Sequence, residues 1–292
     1  MQQLIDEDFL RRLPQLRFLS RRRAGTQLGG THASPRAGMS IEFADYRAYT
    51  PGDDLRAVDW NVFARLDRLL VKTFVQEVDV PVYLLVDVSA SMRCGSPPKA
   101  LYAARLALAL GYLALRGLDR VGLFPFSERL LDPVAPRHGL AQFGRFLRAL
   151  SPIDPAGRTS LPASVEQFLG RTRESGIVVI LSDFLSVGEL AEPLARLRHR
   201  GDEVAAIQIL DPKEQMPVAT GLVEFVDVET DERVTLRVGP AALAEYRRAF
   251  ENRQHALRHV LARQGVPLFV TPTSRPLEAV LHTDLRSGGI LR

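Results

Sequence analysis

Cys94 is the only cysteine in the chain, so neither an internal disulfide nor a cysteine-based metal cluster can form. Lysine is nearly as scarce. Lys72, Lys99 and Lys213 are the only three, and 35 of the 38 basic residues are arginine. No stretch approaches the roughly 18 consecutive apolar residues that would cross a bilayer, so no membrane span is expected. The N-terminus, Met1-Gln2-Gln3-Leu4-Ile5-Asp6-Glu7-Asp8, carries acids where a secretory signal needs bases and an apolar core. A cytoplasmic location is therefore expected. Two familiar motifs are also missing. Gly25-Thr26-Gln27-Leu28-Gly29-Gly30 lacks the lysine of a phosphate loop and follows no apolar strand, so it reads as a flexible turn. His255 and His259 are four apart, but Ala256 stands where a zinc-protease motif needs Glu. With Arg253, Gln254 and Arg258 around them, they read as a solvated face. Cys94, with no His motif beside it, reads as a small loop residue.

What is present suits a soluble globular protein: 292 residues, 46% hydrophobic and 25% charged. The net charge is +4, but the arginines are scattered apart from Arg21-Arg22-Arg23. A scattered excess reads as solvated surface, and nucleic acid is not expected as a partner. Residues 6–19 place Phe9, Leu10, Leu13 and Leu16 at helical spacing, and 24–40 read as a loop. Together, residues 1–40 form an N-terminal helix and loop. Residues 41–79 follow as a β-containing segment, with Pro51-Gly52 suited to the centre of a type II turn and a strand expected over 69–79.

From residue 80 to 292 strands and helices alternate. Strands are expected at 81–86, 120–126, 176–181, 203–210 and 267–271. Helices are expected at 98–116, 140–150, 160–173, 187–199, 240–264 and 276–285. This alternation predicts a doubly wound, mainly parallel α/β sheet flanked by helices. The helix at 98–116 is apolar nearly all round, as a buried helix is. Ser127-Glu128-Arg129 is expected to turn the chain into a short antiparallel strand at 130–134. Residues 222–238 interrupt the rhythm as a β-hairpin insertion, expected to pair with 41–49 and 69–77 in one small β-subdomain. There is no internal repeat.

Chemistry concentrates at strand ends. Asp87-Val88-Ser89-Ala90-Ser91 follows the apolar run Pro81–Val86, and Ser182-Asp183 follows Ile177–Leu181. In a doubly wound sheet such strand ends share one edge, where ligands bind. Gly157-Arg158-Thr159-Ser160 supplies a hydroxyl ahead of a helix, from Thr159 or from its neighbour Ser160. Asp87, Ser89, Ser91, Thr159 and Asp183 thus form a candidate set of oxygen ligands for a hard cation, Mg²⁺ or else Mn²⁺ or Ca²⁺. Two carboxylates and three neutral hydroxyls leave one position open for an acidic side chain from a partner. The plainer reading of Asp87 and its serines is a capped turn.

The Asp-x-Ser-x-Ser, Gly-x-Thr and strand-terminal Asp together resemble the metal-ion-dependent adhesion site of von Willebrand factor A (vWA) domains. The wider frame resembles the bacterial domain-of-unknown-function family 58. It reads Glu42-Phe43-x-Asp45-Tyr46-Arg47-x-Tyr49-x-Pro51-Gly52-Asp53-Asp54-x-Arg56-x-x-Asp59-Trp60, then Ala64-Arg65 and Leu70-Val71-Lys72-x-Phe74. The resemblance runs from about residue 36 to about residue 275. It implies a vWA-like Rossmannoid with Asp87, Ser89 and Ser91 in the first metal loop, Thr159 in the second and Asp183 in the third. Phe184 departs from it, since many vWA domains have Gly there. Relatives often accompany MoxR-type AAA+ ATPases, which implies a role in assembly or activation of other proteins.

The expected function is therefore a metal-dependent protein-interaction module rather than an enzyme. A metal-dependent hydrolase is one alternative, but Ser89 stands where a phosphotransfer aspartate would need a second acid. A metal-independent scaffold docking through residues 42–60 is the other. The acids of that segment, Glu42, Asp45, Asp53, Asp54 and Asp59, lie among Arg47 and Arg56. They read as ion pairs around Tyr46, Tyr49 and Trp60, because no nucleophile or phosphate loop accompanies them.

Overall fold

In a computed structural model of the chain, residues 4–5, 7–13, 27–29, 41–76, 80–152, 154–217, 220–228 and 232–291 are described. The chain divides into two compact units: Met1–Phe18 with Val80–Arg292, and Leu19–Asp79. The first forty residues therefore split between the units, and the part of the expected 6–19 helix beyond Leu13 lies outside the described residues.

In chain order the elements are α1 (Glu7–Arg12), β1 (Gln27–Gly29), β2 (Ile41–Ala48), α2 (Trp60–Leu66), β3 (Leu70–Gln76), β4 (Val82–Asp87), α3 (Lys99–Arg116), β5 (Val121–Phe126), β6 (Val134–Arg137), α4 (Ala141–Leu150) and α5 (Leu161–Arg171). They continue with β7 (Ile177–Ser182), α6 (Ala191–Arg200), β8 (Glu203–Leu210), α7 (Pro212–Gln215), β9 (Gly221–Val226), β10 (Arg233–Val238), α8 (Pro240–Arg263), β11 (Leu268–Pro272) and α9 (Leu277–Ala279). The last expected helix, 276–285, is α-helical only in α9 and continues as a π-helical turn, Val280–Leu285.

The larger unit is built on a six-stranded sheet of order β11-β8-β7-β4-β5-β6. All neighbours are parallel except β6, which runs antiparallel to β5 at the rim. This is the doubly wound, vWA-like arrangement expected. Every residue of β4 and β7 is buried, so side chains alternate between two cores. Val82, Leu84 and Val86 join α1 (Phe9), α3, α4 (Phe146, Leu150) and the C-terminal Val280 and Leu281 on one face. Tyr83 and Leu85 join α5 (Val165, Phe168), α6 (Leu194, Leu197) and α8 (Leu257, Leu261) on the other. The helix α3 is buried nearly all round, as its sequence predicts. No helix among the described residues is long and apolar enough to cross a membrane.

The antiparallel strand comes later than the expected 130–134. Ser127 N donates to Arg129 O at 3.1 Å, and Leu130 makes one bridge to Phe126. Pro133, which has no N–H for a ladder, then intervenes, and pairing resumes at Val134. The strand β6 itself carries Pro136.

The smaller unit is an antiparallel sheet of order β1-β3-β2. Gln27–Gly29, read above as a flexible turn, is instead a strand on β3; three residues are too few for a periodic signal. Asp53 N closes a turn on Thr50 O at 3.0 Å, with Gly52 at φ 108°, as a type II turn requires. Asp53 takes two hydrogen bonds of 2.6 Å from Arg47 and one of 2.9 Å from Thr50 N. The Arg47 bonds above all hold its carboxyl well below the usual range. Asp59 caps α2 through Asn61 N and accepts from the Tyr46 hydroxyl at 2.8 Å. Trp60 does not sit at the centre of this network: it is 55% exposed.

The strands β9 and β10 form the expected hairpin, but among the described residues they make a two-stranded sheet of their own, without the expected pairing to β2 or β3. Phe225 faces Val234 and Val223 faces Leu236 across it. One face is therefore apolar although it stands in solvent.

Candidate functional site

The sheet order reverses between β4 and β7, and the carboxyl ends of these two strands flank that switch point. Asp87 ends β4, and Asp183 follows the last residue of β7. Both carboxylates are fully buried. Asp87 Oδ1 accepts from Ser89 N at 3.0 Å, which turns the chain into a short 3₁₀ helix, Ala90–Arg93. Ser89 caps that helix without a side-chain bond. Its Oγ lies 3.2 Å from Ser91 Oγ, both residues being buried. Two backbone bonds stitch the second loop onto the first: Ala90 N to Gly157 O at 2.9 Å and Ala156 N to Val88 O at 3.0 Å. Gly157 has φ 75°, a conformation that favours glycine. Thr159 then lines a small cavity together with Ser182, Phe184 and Glu189. Ser160 instead forms the N-cap of α5. Three loops thus bring Asp87, Ser89, Ser91, Thr159 and Asp183 to one sheet edge.

Three further residues belong to this site. Ser182 Oγ donates to Asp87 Oδ2 at 2.5 Å and accepts from Phe184 N at 3.0 Å, tying the two strand ends together. Gln208 on β8 donates to the backbone carbonyl of Asp183 at 3.1 Å. Lys99, the first residue of α3, donates to Asp183 Oδ2 at 2.7 Å and to Glu214 Oε1 on α7 at 2.5 Å. Lys99 is only 1% exposed. Nothing in Pro97-Pro98-Lys99-Ala100 marks it as other than a surface lysine at a helix start.

The electrostatics follow from burial. Loss of water, then repulsion from Asp183, pushes the Asp87 carboxyl up to about 7. Burial also works against the Lys99 ammonium, but Asp183 and Glu214 outweigh it and hold its pKa above the usual lysine value. Asp87, Asp183 and Glu214 against Lys99 leave two negative charges when all are ionised, the complement of one divalent cation.

The donor set also fits such an ion. Thr159 Oγ1 and Asp183 Oδ1 are buried polar atoms without a hydrogen-bond partner, a costly state unless something binds them. The 3.2 Å between Ser89 Oγ and Ser91 Oγ is close to the roughly 3 Å separating neighbouring oxygens around octahedral Mg²⁺. Among the described residues no three His, Cys, Asp or Glu side chains are grouped to hold a metal. Hydroxyls would therefore have to supply much of the shell. Cys94 is half-buried, and burial raises its pKa. His255 and His259 stand exposed.

Phe184 occupies the left-handed region at φ 52°, which favours glycine, and is 3% exposed. The backbone penalty is about 1–2 kcal/mol, while removing a buried phenyl ring costs about 3–5 kcal/mol. Phe184→Gly is therefore expected to destabilise the protein by about 2 kcal/mol. Urea unfolding measures this, and an unchanged midpoint would show that the ring contributes no more than the backbone strain that glycine relieves.

A doubly wound α/β fold carrying an oxygen-rich cluster at its switch point is the class so defined. The chain belongs to the family described as "Protein of unknown function DUF58", which matches residues 45–260. It is 30% identical over 253 residues to the uncharacterized protein Rv1480 of Mycobacterium tuberculosis, covering 85% of this chain and 80% of that one. It is 38% identical over 96 residues to an "uncharacterized protein in moxR 3'region" of Paracoccus denitrificans, covering 32% of this chain and 90% of that one. Among solved structures it is similar to the conserved hypothetical protein BatB of Bacteroides thetaiotaomicron, with TM-score 0.45 and 14% identity over 72% of this chain and 98% of that one.

Proposed function

We propose that the chain is a non-enzymatic binding module whose strand-end cluster holds a divalent cation, and that the cation takes an acidic side chain of a partner protein. Asp87, Ser89, Ser91, Thr159 and Asp183 would hold the ion, Mg²⁺ by preference with Mn²⁺ or Ca²⁺ as substitutes. The observation that carries this reading is the pair of partnerless buried oxygens, Thr159 Oγ1 and Asp183 Oδ1, at the switch point. When bound, the cation supplies a fixed positive point for a carboxylate. The chain's own residues orient the site: Ser182 sets the Asp87 carboxylate, and the bonded loops set the hydroxyls. Three of the five ligands, Ser89, Ser91 and Thr159, are neutral, so the ion keeps charge to share with an incoming acid.

A relative from a moxR 3' region supports a MoxR-type AAA+ ATPase as the partner, with this chain as its adaptor or as an assembly or activation factor in the cytoplasm. The test is co-purification of that ATPase with the wild type and with Ser89→Ala/Ser91→Ala. These two hydroxyls have each other as hydrogen-bond partner, so their loss should spare the fold and abolish magnesium-dependent capture. The variant is the control because such an ATPase is itself sensitive to chelation. Undiminished capture by the double variant would remove the metal from the mechanism. The exposed Trp60 favours a second reading, a metal-independent contact through residues 42–60. In that case Trp60→Ala should lose the partner while the serine variant keeps it.

A further inference from the structure

We propose that Lys99 is a positioning residue that holds the cation affinity of this site low until a partner's carboxylate arrives. The inference rests on the metal-binding reading above and concerns its regulation. Lys99 Nζ lies 2.7 Å from Asp183 Oδ2, so a permanent positive charge already occupies one side of a candidate metal ligand. It is 1% exposed, so water screens it poorly. An ion bound through the other oxygen of Asp183, the partnerless Oδ1, would sit within a few ångströms of that ammonium. At such a separation two cations repel strongly in a protein interior.

Glu214 sets how much of the lysine Asp183 must bear. It is the second acceptor, 2.5 Å from Nζ, and its side chain is 24% exposed. Glu214 draws part of the ammonium's charge away from Asp183. An acidic side chain arriving at the metal adds a negative charge that offsets the same ammonium. Cation and partner acid then each strengthen the binding of the other, as linkage requires. The site would be filled when the two are present together and largely empty when either is alone.

The test is titration of the full chain with Mn²⁺, read by electron paramagnetic resonance of the free ion, with and without acetate as the carboxylate probe. Lys99→Met is expected to bind Mn²⁺ at least about tenfold more tightly than wild type, since it removes a repelling charge of the kind that dominates at short range. Lys99→Arg, which keeps the charge, should bind as wild type does. Glu214→Gln should bind several-fold more weakly, because Lys99 then has Asp183 as its one carboxylate partner. Acetate should tighten Mn²⁺ binding to the wild type more than to Lys99→Met. Equal or weaker binding by a folded Lys99→Met overturns the proposal and leaves the metal reading standing. If Lys99→Met fails to fold, Glu214→Gln decides, and binding as tight as wild type overturns it. Absence of Mn²⁺ binding in all four proteins overturns both readings together.

Discussion

Asp87→Asn is expected to make the metal-free protein more stable than wild type above about pH 7 and to abolish its stabilisation by magnesium. Asn keeps the shape and the local bonds: its carbonyl accepts from Ser89 N, and its amide faces the Ser182 hydroxyl, which can turn to accept. What it removes is a carboxylate that burial and Asp183 make costly to ionise. The raised pKa fixes the sign. Between the usual carboxylate value of about 4 and about 7, the native state holds a proton that the unfolded chain has released. Stability of the metal-free wild type therefore falls as pH rises through that window, and the full cost is present above it. A tenfold difference in proton affinity is worth about 1.4 kcal/mol, so the gain from Asn is expected to reach a few kcal/mol. Magnesium must displace the proton, so it should stabilise the wild type more at about pH 8 than at about pH 6. Thermal melts across this range, in EDTA and in magnesium chloride, test both halves. A magnesium-dependent rise that survives in Asp87→Asn would show that Asp87 is not a ligand. A wild type with no pH slope in EDTA would show that its ionisation costs nothing.

Gly176→Ala is expected to leave little soluble protein. A Cβ at this position would lie 2.1 Å from Pro81 O and 2.8 Å from Tyr83 Cε2. The backbone cannot retreat, because it is bonded on both sides. Gly176 N donates to Asp202 Oδ1 at 2.8 Å, Ile177 N donates to Pro81 O at 2.9 Å, and Glu203 N donates to Gly176 O at 2.9 Å. These bonds start the β4–β7 and β7–β8 ladders. Overpacking against rigid neighbours costs about 3 kcal/mol or more, which for a unit of this size lowers the melting temperature by roughly 10 °C. Soluble yield and a thermal melt measure it. A variant melting within a degree or so of wild type would contradict the β4–β7 register, and with it the side-by-side placement of Asp87 and Asp183.

The residues most readable in the sequence were those whose role is local. Asp87 and Asp183 follow long apolar runs, and a strand end in a doubly wound sheet has a known place, so their convergence follows from topology alone. Pro51-Gly52 encodes its turn in two residues. The hairpin 221–238 is also local, and its strands appear where alternation puts them. Among the described residues its strands pair with each other and not with β2 or β3; which distant strands pair could not be read, because such pairing leaves no mark in either segment. Lys99 shows the same limit at the site. Its partners Asp183 and Glu214 are 84 and 115 residues away, and only the packing of α3 across the sheet brings them together. Gly176 looks like any turn glycine; the carbonyl that forbids a side chain there belongs to Pro81. In the sequence Ser182 is only the residue before an acid, yet its hydroxyl donates the hydrogen bond that aligns Asp87.

One rim of the large sheet is β6, which carries Pro136. A proline at that place offers no N–H to a strand approaching from outside, and rim prolines are a common guard against chains zippering together. Growth of the sheet into a neighbour is thus disfavoured at this point of the rim.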